Sequence, residues 1–373
     1  MMPMPRRTFV ALGLVATLAI AAWPAVTPRI AASQSDTLPA RLTPQEMWQL
    51  SQDFSEPNGF FTSDNLVSNE IYLQWVIPEL LTRSRQGGVY VGVGPEQNFT
   101  YISALKPKMV FITDVRRGNL QMHLMYKALF ELTSNRADFV EMLFNKKRPA
   151  GLTDKSTSAD IANAFWDVTT SSEEVYKANL KRVLDHLTVT RGLPLDKEDR
   201  DGIEYVYHSF YWFGLAITYS SSSQNAGRGG NSNMAAYGDL MLHTDGANVG
   251  RYYLANEESF RFLKSLHERN VFVPVVGNFA GAKALRAVGK YIRDKGATVS
   301  AMYLSNVEQY LNQDGIWNHF CANVAAMPLD DKSMFIRSAR GGAGTGGNGL
   351  VNSLGSMLNE TRGCGRPSPS VVR

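Results

Sequence analysis

The sequence predicts an α/β domain built on a largely parallel sheet with added helices, and two stretches with one spacing predict it. Gly88-Val89-Tyr90-Val91-Gly92-Val93-Gly94 and Met109-Val110-Phe111-Ile112-Thr113-Asp114 are short apolar runs rich in β-branched residues. Between them, residues 98–105 fit a helix of about two turns. Strand, helix, strand at that spacing is a β-α-β unit with its crossover. Residues 271–276, 283–295 and 298–304 repeat the pattern, with Leu285, Val288 and Ile292 at helical spacing and Gly296 as the stop. Two such units in one chain predict a Rossmann-like, doubly wound sheet.

The other elements follow in order. Arg6 and Arg7 precede an apolar run from Phe9 to Ala22, with small residues before Pro24. That is the layout of a secretory signal, and Arg6-Arg7-Thr8-Phe9-Val10 resembles a twin-arginine export signal. Cleavage after Ala21 or Ala32 releases the domain, and no cleavage leaves residues 1–32 as a membrane anchor with its basic end inside. Either way residues 33–338 are expected outside the cytoplasm, periplasmic, extracellular or anchored, and the membrane is touched only through the N-terminal segment. Thr43 and Glu46 form a capping box around Pro44, so a helix starts there. A polar stretch from Phe60 to Glu70 reads as a loop feeding a buried helix that carries Tyr72, Trp75, Val76, Ile77 and Leu80. Further helices are expected from Leu120 through Phe130 and over residues 172–187, 198–215 and 257–268. Residues 219–233 are serine-, glycine- and asparagine-rich and read as a mobile loop. The glycine- and serine-rich residues 339–373 show no usable periodicity and read as a disordered tail.

Composition narrows the function. At 373 residues, 44% hydrophobic and 10% aromatic, the chain can bury a large single core. A formal charge of +4 with no lysine or arginine cluster argues against a nucleic-acid partner. Cys321 and Cys364 lack metal-ligand spacing and the six histidines are scattered, so no metal is expected. The two cysteines pair in an oxidising compartment or stay free in a reducing one; their count leaves both open. His208, among Tyr205, Tyr207, Phe210, Tyr211 and Trp212, reads as packed rather than catalytic.

The chemistry concentrates at the ends of the predicted strands. Val91-Gly92-Val93-Gly94-Pro95-Glu96-Gln97-Asn98 closes the first, and Asp114 closes the next, twenty residues after Gly94. Glycines let a ligand approach the backbone, a helix N-terminus offers free N–H groups, and a strand-tip acid accepts from ribose hydroxyls. The third glycine of a dinucleotide fingerprint is missing, and Pro95-Glu96 would crowd or repel a pyrophosphate. A nucleoside cofactor without phosphates fits better. The candidate set is Gly92, Gly94, Glu96, Asn98, Asp114 and Arg116, joined by Asn278 in Gly277-Asn278-Phe279-Ala280-Gly281 and by Asn306 after the last strand. Gly92 and Gly94 equally suit a tight turn, and Asp114 and Asn278 equally suit helix caps. Ser305 and Glu308 have capping-box spacing, with Glu308 a base only if it turns toward the crevice. Asp64, Asn65, Ser68, Asn69 and Glu70 suit a loop folding over a cofactor, or a solvated turn.

These residues resemble the class I S-adenosylmethionine-dependent methyltransferases, whose first strand ends in a GxG-type loop and whose second ends in a ribose-binding acid. The resemblance implies that Gly92 and Gly94 line the methionine and ribose side, that Asp114 binds the ribose hydroxyls and that Arg116 flanks the site. This chain has Tyr90 where that class carries an acid two places before the first glycine. From Thr62 to Arg337 it also looks like an uncharacterised bacterial family with a methyltransferase-like core, through Ser68-Asn69-Glu70, the segment from Gly92 to Phe99, the segment from Gly277 to Gly281, and the segment from Tyr303 to Tyr310. The implied function is binding of S-adenosylmethionine, or a related nucleoside, with methylation of a small-molecule acceptor. The alternative is a non-catalytic extracytoplasmic ligand-binding or interaction protein on the same fold. Hydrolysis is disfavoured, because no GxSxG elbow and no paired catalytic carboxylates are present.

Overall fold

Runs such as Val89-Tyr90-Val91 and Phe272-Val273 are apolar on both faces, so they are stable as strands only where helices cover both sides of a sheet. The structure, a computed structural model that describes residues 36–221, 234–340 and 350–364, gives them that cover. In chain order the elements are α1 (Pro44–Phe54), α2 (Ile77–Arg83), β1 (Val89–Gly92), α3 (Gln97–Leu105), β2 (Met109–Asp114), α4 (Arg117–Leu132), α5 (Arg136–Phe144), α6 (Ser158–Trp166), α7 (Glu173–Asp185), α8 (Lys197–Phe213), α9 (Tyr237–Leu242), α10 (Glu257–Glu268), β3 (Phe272–Val276), α11 (Ala284–Asp294), β4 (Val299–Ser305), α12 (Val307–Gln313), α13 (Trp317–Ala325), β5 (Met334–Arg340), β6 (Leu350–Ser356) and α14 (Met357–Glu360).

The six strands form one sheet in the order β3-β2-β1-β4-β5-β6, parallel except for β6, which runs antiparallel to β5. This α/β architecture is compatible with a Rossmann-like fold. The chain steps outward from β1 through β2 to β3, then returns to lay β4 on the other side of β1. That reversal opens a crevice at the carboxyl ends of β1 and β4. Pro274 has no N–H to give a ladder, and it sits in β3, the edge strand, with its carbonyl accepting from Ser51 Oγ of α1 at 2.5 Å. Ser55 Oγ accepts from the Val276 N–H at 2.9 Å, so this edge is covered by the end of α1. One group of helices, α3, α4 and α10, packs together with α4 on β2 and β3, while α1, α11 and α13 form another, with α1 on β3 and α11 on β2. Right-handed crossovers put the two groups on opposite faces.

The capping box at Thr43 and Glu46 is present, with Glu46 N–H donating to Thr43 Oγ1 at 3.1 Å and Thr43 N–H to Glu46 Oε2 at 2.7 Å. Two expectations change. Residues 71–76 are turns and only Ile77–Arg83 is helical, because Pro78 suits a first turn and not a helix interior. Residues 350–364, expected within a disordered tail, build β6 and α14, and Cys364 is bonded to Cys321 of α13. A glycine- and serine-rich strand lacks its own pattern but gains seven residue pairs from β5. The expected leader at 1–32, residues 222–233 of the expected loop, and residues 341–349 and 365–373 of the tail lie outside the described residues. Among the described residues no helix is long and apolar enough to cross a membrane.

The bond between Cys321 and Cys364 closes a loop of 43 residues that contains β5 and β6. Replacing both cysteines by alanine is therefore expected to lower unfolding stability by about 2–4 kcal/mol, read as a fall in the urea midpoint. An unchanged midpoint, equal to that of the parent under oxidising conditions, would show that the bond contributes nothing.

Candidate functional site

The glycine turn after β1 is tied from behind by Asn98. Its side chain accepts from Tyr90 Oη at 2.9 Å and donates to the carbonyls of Val93 and Pro95, both at 2.8 Å. A Cβ on Gly92 would lie 2.1 Å from Asn98 Oδ1, so Gly92 is glycine because Asn98 occupies that space. Gly94 has φ +77° and lies at the surface of the crevice. Its carbonyl accepts from Nε2 of His123, at 2.9 Å, and burial pushes that imidazole down to about 4, so it is neutral and donates.

Glu96 follows in the same turn, fully buried. Burial pushes its carboxyl up to about 8, and Oε1 accepts from the Ser68 N–H at 3.1 Å while Oε2 has no protein partner. It holds the Asn65–Glu70 loop against the turn. Glu70, also buried, ends that loop and accepts from Tyr303 Oη at 2.5 Å, Ser305 Oγ at 2.8 Å and Asn352 Nδ2 of β6 at 2.8 Å. Tyr303 Oη in turn accepts from Gln97 Nε2 at 3.0 Å.

At the tip of β2, Asp114 is almost buried and its Oδ1 accepts from the Arg116 N–H at 3.0 Å. The Arg116 guanidinium lies beside it at 3.5 Å and also donates to the Asp64 carbonyl, while the Asp64 carboxylate accepts from Tyr205 of α8. The helices between β2 and β3 thereby position the loop that ends at Glu70. At β3, Asn278 Oδ1 accepts from the Ala280 N–H at 2.9 Å and makes a local turn. The cap of α11 comes from Glu56, whose Oε1 accepts from Lys283 and Ala284 and whose Oε2 accepts from Asn278 N–H.

These pieces enclose a cavity of about 380 Å³. Gly94, Asp114, Asn278 and Asn306 from the predicted set line it, one at the end of each of β1 to β4. Gly92, Glu96, Asn98 and Arg116 do not, and for three of them the reason is structural: Gly92 makes room for Asn98, Asn98 knots the turn, and Glu96 is turned inward to Ser68. Of the predicted loop, Asn65, Ser68 and Asn69 line the cavity. Ser305 and Glu308 form no capping box. Ser305 donates to Glu70, and Glu308 pairs with Arg337 and accepts from Trp317 Nε1 at 3.2 Å, so it is not a free base. Sequence reasoning missed Phe60, Phe61, Gln97, Thr113, Tyr219, Tyr310 and Asp314 as lining residues. Gln97, Thr113, Phe60, Phe61, Tyr219 and Tyr310 lie inside stretches singled out above for other reasons, whereas nothing local marks Asp314. Among the described lining residues there is no Lys, Arg or His, and among the described residues no cluster of His, Cys, Asp or Glu could hold a metal ion.

The family model described as a domain of unknown function (DUF7790) matches residues 65–199 and 221–353, more than half of the chain. No curated protein matches it.

In the unfolded chain Glu96 ionises near 4.5, in the folded protein near 8, so between these values the unfolded chain loses a proton that the folded protein keeps. Stability thus falls as pH rises through that window. Glu96→Gln is expected to remove this loss, gaining on the parent by up to about 1.4 kcal/mol per pH unit. Urea midpoints at pH 5 and pH 8 measure it; an equal difference at both would mean that Glu96 is ionised in the folded protein.

Proposed function

The chain belongs to the DUF7790 family, and from that premise we propose that its crevice binds a nucleoside-type cofactor without phosphates, S-adenosylmethionine, on a Rossmann-like sheet of the class I methyltransferase type. The observation that carries this reading is Asp114 at the β2 tip, which with Gly94 lines a cavity that has no basic side chain among its described lining residues. An acid there suits two ribose hydroxyls, and the lack of lysine and arginine disfavours a phosphate. The neutral side chains of Asn65, Asn69, Asn278 and Asn306 suit the edges of a base and the hydroxyls of a sugar.

S-adenosylmethionine, when bound, supplies a methyl group on a sulfonium that leaves readily. What this chain's residues then have to do is exclude water and orient, and positioning alone contributes much of such a rate. Asp114 holds the sugar, and Asn65, Ser68 and Asn69, in a segment fastened by Glu96 and Glu70, line the same cavity. The methyl acceptor is a small molecule that shares the cavity, which Phe60 and Tyr310 help to line.

A second reading, a non-catalytic extracytoplasmic binding protein on the same fold, is favoured by Tyr90. The position where methyltransferases carry an acid holds a buried phenol spent on Asn98, with nothing to offer a ligand. Export, which the N-terminal sequence and the Cys321–Cys364 bond favour, suits the second reading and requires the first to leave the cytoplasm folded around its cofactor.

Calorimetric titration of the chain with S-adenosylmethionine and S-adenosylhomocysteine separates them. Micromolar binding that weakens at least about tenfold in Asp114→Ala is the expected result, since a charge-assisted hydrogen bond is lost. Binding to neither compound would discard the cofactor and leave the second reading.

A further inference from the structure

The parallel strands β1 to β5 point the same way, so their amino ends share the edge of the sheet opposite the crevice, about 20 Å from it by strand length. That edge is built from the turns before the strands and from the segment Asp36–Leu42, which runs across it. Thr37 N–H donates to the Lys295 carbonyl at 2.8 Å, and Leu42 N–H donates to the Arg269 carbonyl at 2.9 Å. Asp36 pairs with Lys108, just before β2, at 2.7 Å. The chain that carries the apolar run from Phe9 to Ala22 therefore enters the domain at this edge.

Basic side chains gather there without matching carboxylates. Arg85, Lys106 and Lys108 are paired with Asp330, Glu258 and Asp36. Arg41, Arg269, Arg293, Lys295 and Lys332 have no ion pair among the described residues, against one unpaired acid in these turns, Asp331. Arg41 Nη1 donates to the Glu268 carbonyl at 2.9 Å and Arg269 Nη1 to the Ala40 carbonyl at 3.2 Å, while Arg293 donates to the Ala326 carbonyl. Partial burial and the nearby Arg41 charge lower the pKa of Arg269. Arg269 and Lys295 also suit the carboxyl ends of α10 and α11, whereas Arg41 and Lys332 lie outside any helix. Cations held on carbonyls keep their charge, which favours an anionic partner.

We propose that this basic edge rests on anionic lipid headgroups, a second membrane contact beside the N-terminal segment. The entry point names the occupant, because an apolar run joined at Asp36 ties this edge, rather than the crevice, to a bilayer. Each lysine or arginine within a Debye length of an anionic surface strengthens such a contact about fivefold. The crevice, at the opposite edge, then opens away from the bilayer toward soluble ligands. The inference takes the N-terminal segment as an uncut anchor and does not depend on which ligand the crevice binds.

The full chain in nanodiscs of phosphatidylcholine, with or without phosphatidylglycerol, tests it, with acetylation of each lysine by a water-soluble N-hydroxysuccinimide ester read by mass spectrometry. Lys295 and Lys332 are expected to react about fivefold more slowly when phosphatidylglycerol is present, and high salt to restore the rate. Lys283, exposed just before α11 at the carboxyl edge, is expected to react equally in both. Replacing Arg41→Gln and Arg293→Gln together is expected to shrink the slowing, with the thermal midpoint showing that the variant is folded; should it not fold, the parent chain alone decides. Equal rates in the two lipid mixtures, slowing of Lys283 as large as that of Lys295 and Lys332, undiminished slowing in the folded double variant, or a chain that joins neither nanodisc would overturn the proposal.

Discussion

The arrangement of the crevice depends on one buried carboxylate. Glu70 is withdrawn from water, and three donors from two strands converge on it, so its buried polar atoms are satisfied. Through them, the loop that ends at Glu70, β4 and β6 are fixed to one another. Ser305 sits at φ +49° and Asn65 at φ +51°, a left-handed conformation that is costly for residues with a side chain. Both line the cavity, and for Ser305 the hydrogen bond to Glu70 offsets part of that cost. Gln97 owes its orientation to the same carboxylate, one hydrogen bond removed.

Behind the glycine turn the wall is built of polar groups kept uncharged. Glu96 is held protonated by burial at neutral pH and His123 is held neutral, one pushed up and the other pushed down by the same loss of solvent. No opposite charge in the turn therefore competes for the buried Asp114, whose field reaches a ligand through a poorly screening interior, whereas Asp314 is exposed to solvent. Asp114 has a neighbour in Arg116, whose guanidinium is partly spent on Asp64.

The long helical insertion between β2 and β3 is braced by ion pairs that are hydrogen-bonded as well as buried. Arg136 joins α5 to Glu257 of α10, and Glu131 of α4 takes Lys127, His186 and Arg191 together, which holds its carboxyl down to about 2 in spite of burial. Arg117 clamps the start of α4 to Asp199 of α8 with two bonds of 2.7 and 2.8 Å. That clamp sets α8, and α8 presents Tyr205 to Asp64. A segment far from the sheet thus shapes the loop over the crevice.

Local pattern determined much of this protein: the capping box at Thr43, both β-α-β units, the helices after Asp114 and the strand-tip positions of Gly94, Asp114, Asn278 and Asn306 all follow from periodicity and turn chemistry read within a few residues. Tertiary structure decided the rest, because the deciding contacts join residues far apart in sequence. Glu56 caps a helix 228 positions away, Asn352 completes Glu70 from 282 positions away, and β6 becomes a strand only by pairing with β5. Gly92, Glu96 and Asn98 carry the same residue types that a binding motif would, and only packing shows that they face the wall behind the crevice. A sequence specifies which groups sit at a strand tip; which way a buried side chain turns is set by the hydrogen-bond partners that the rest of the fold brings to it.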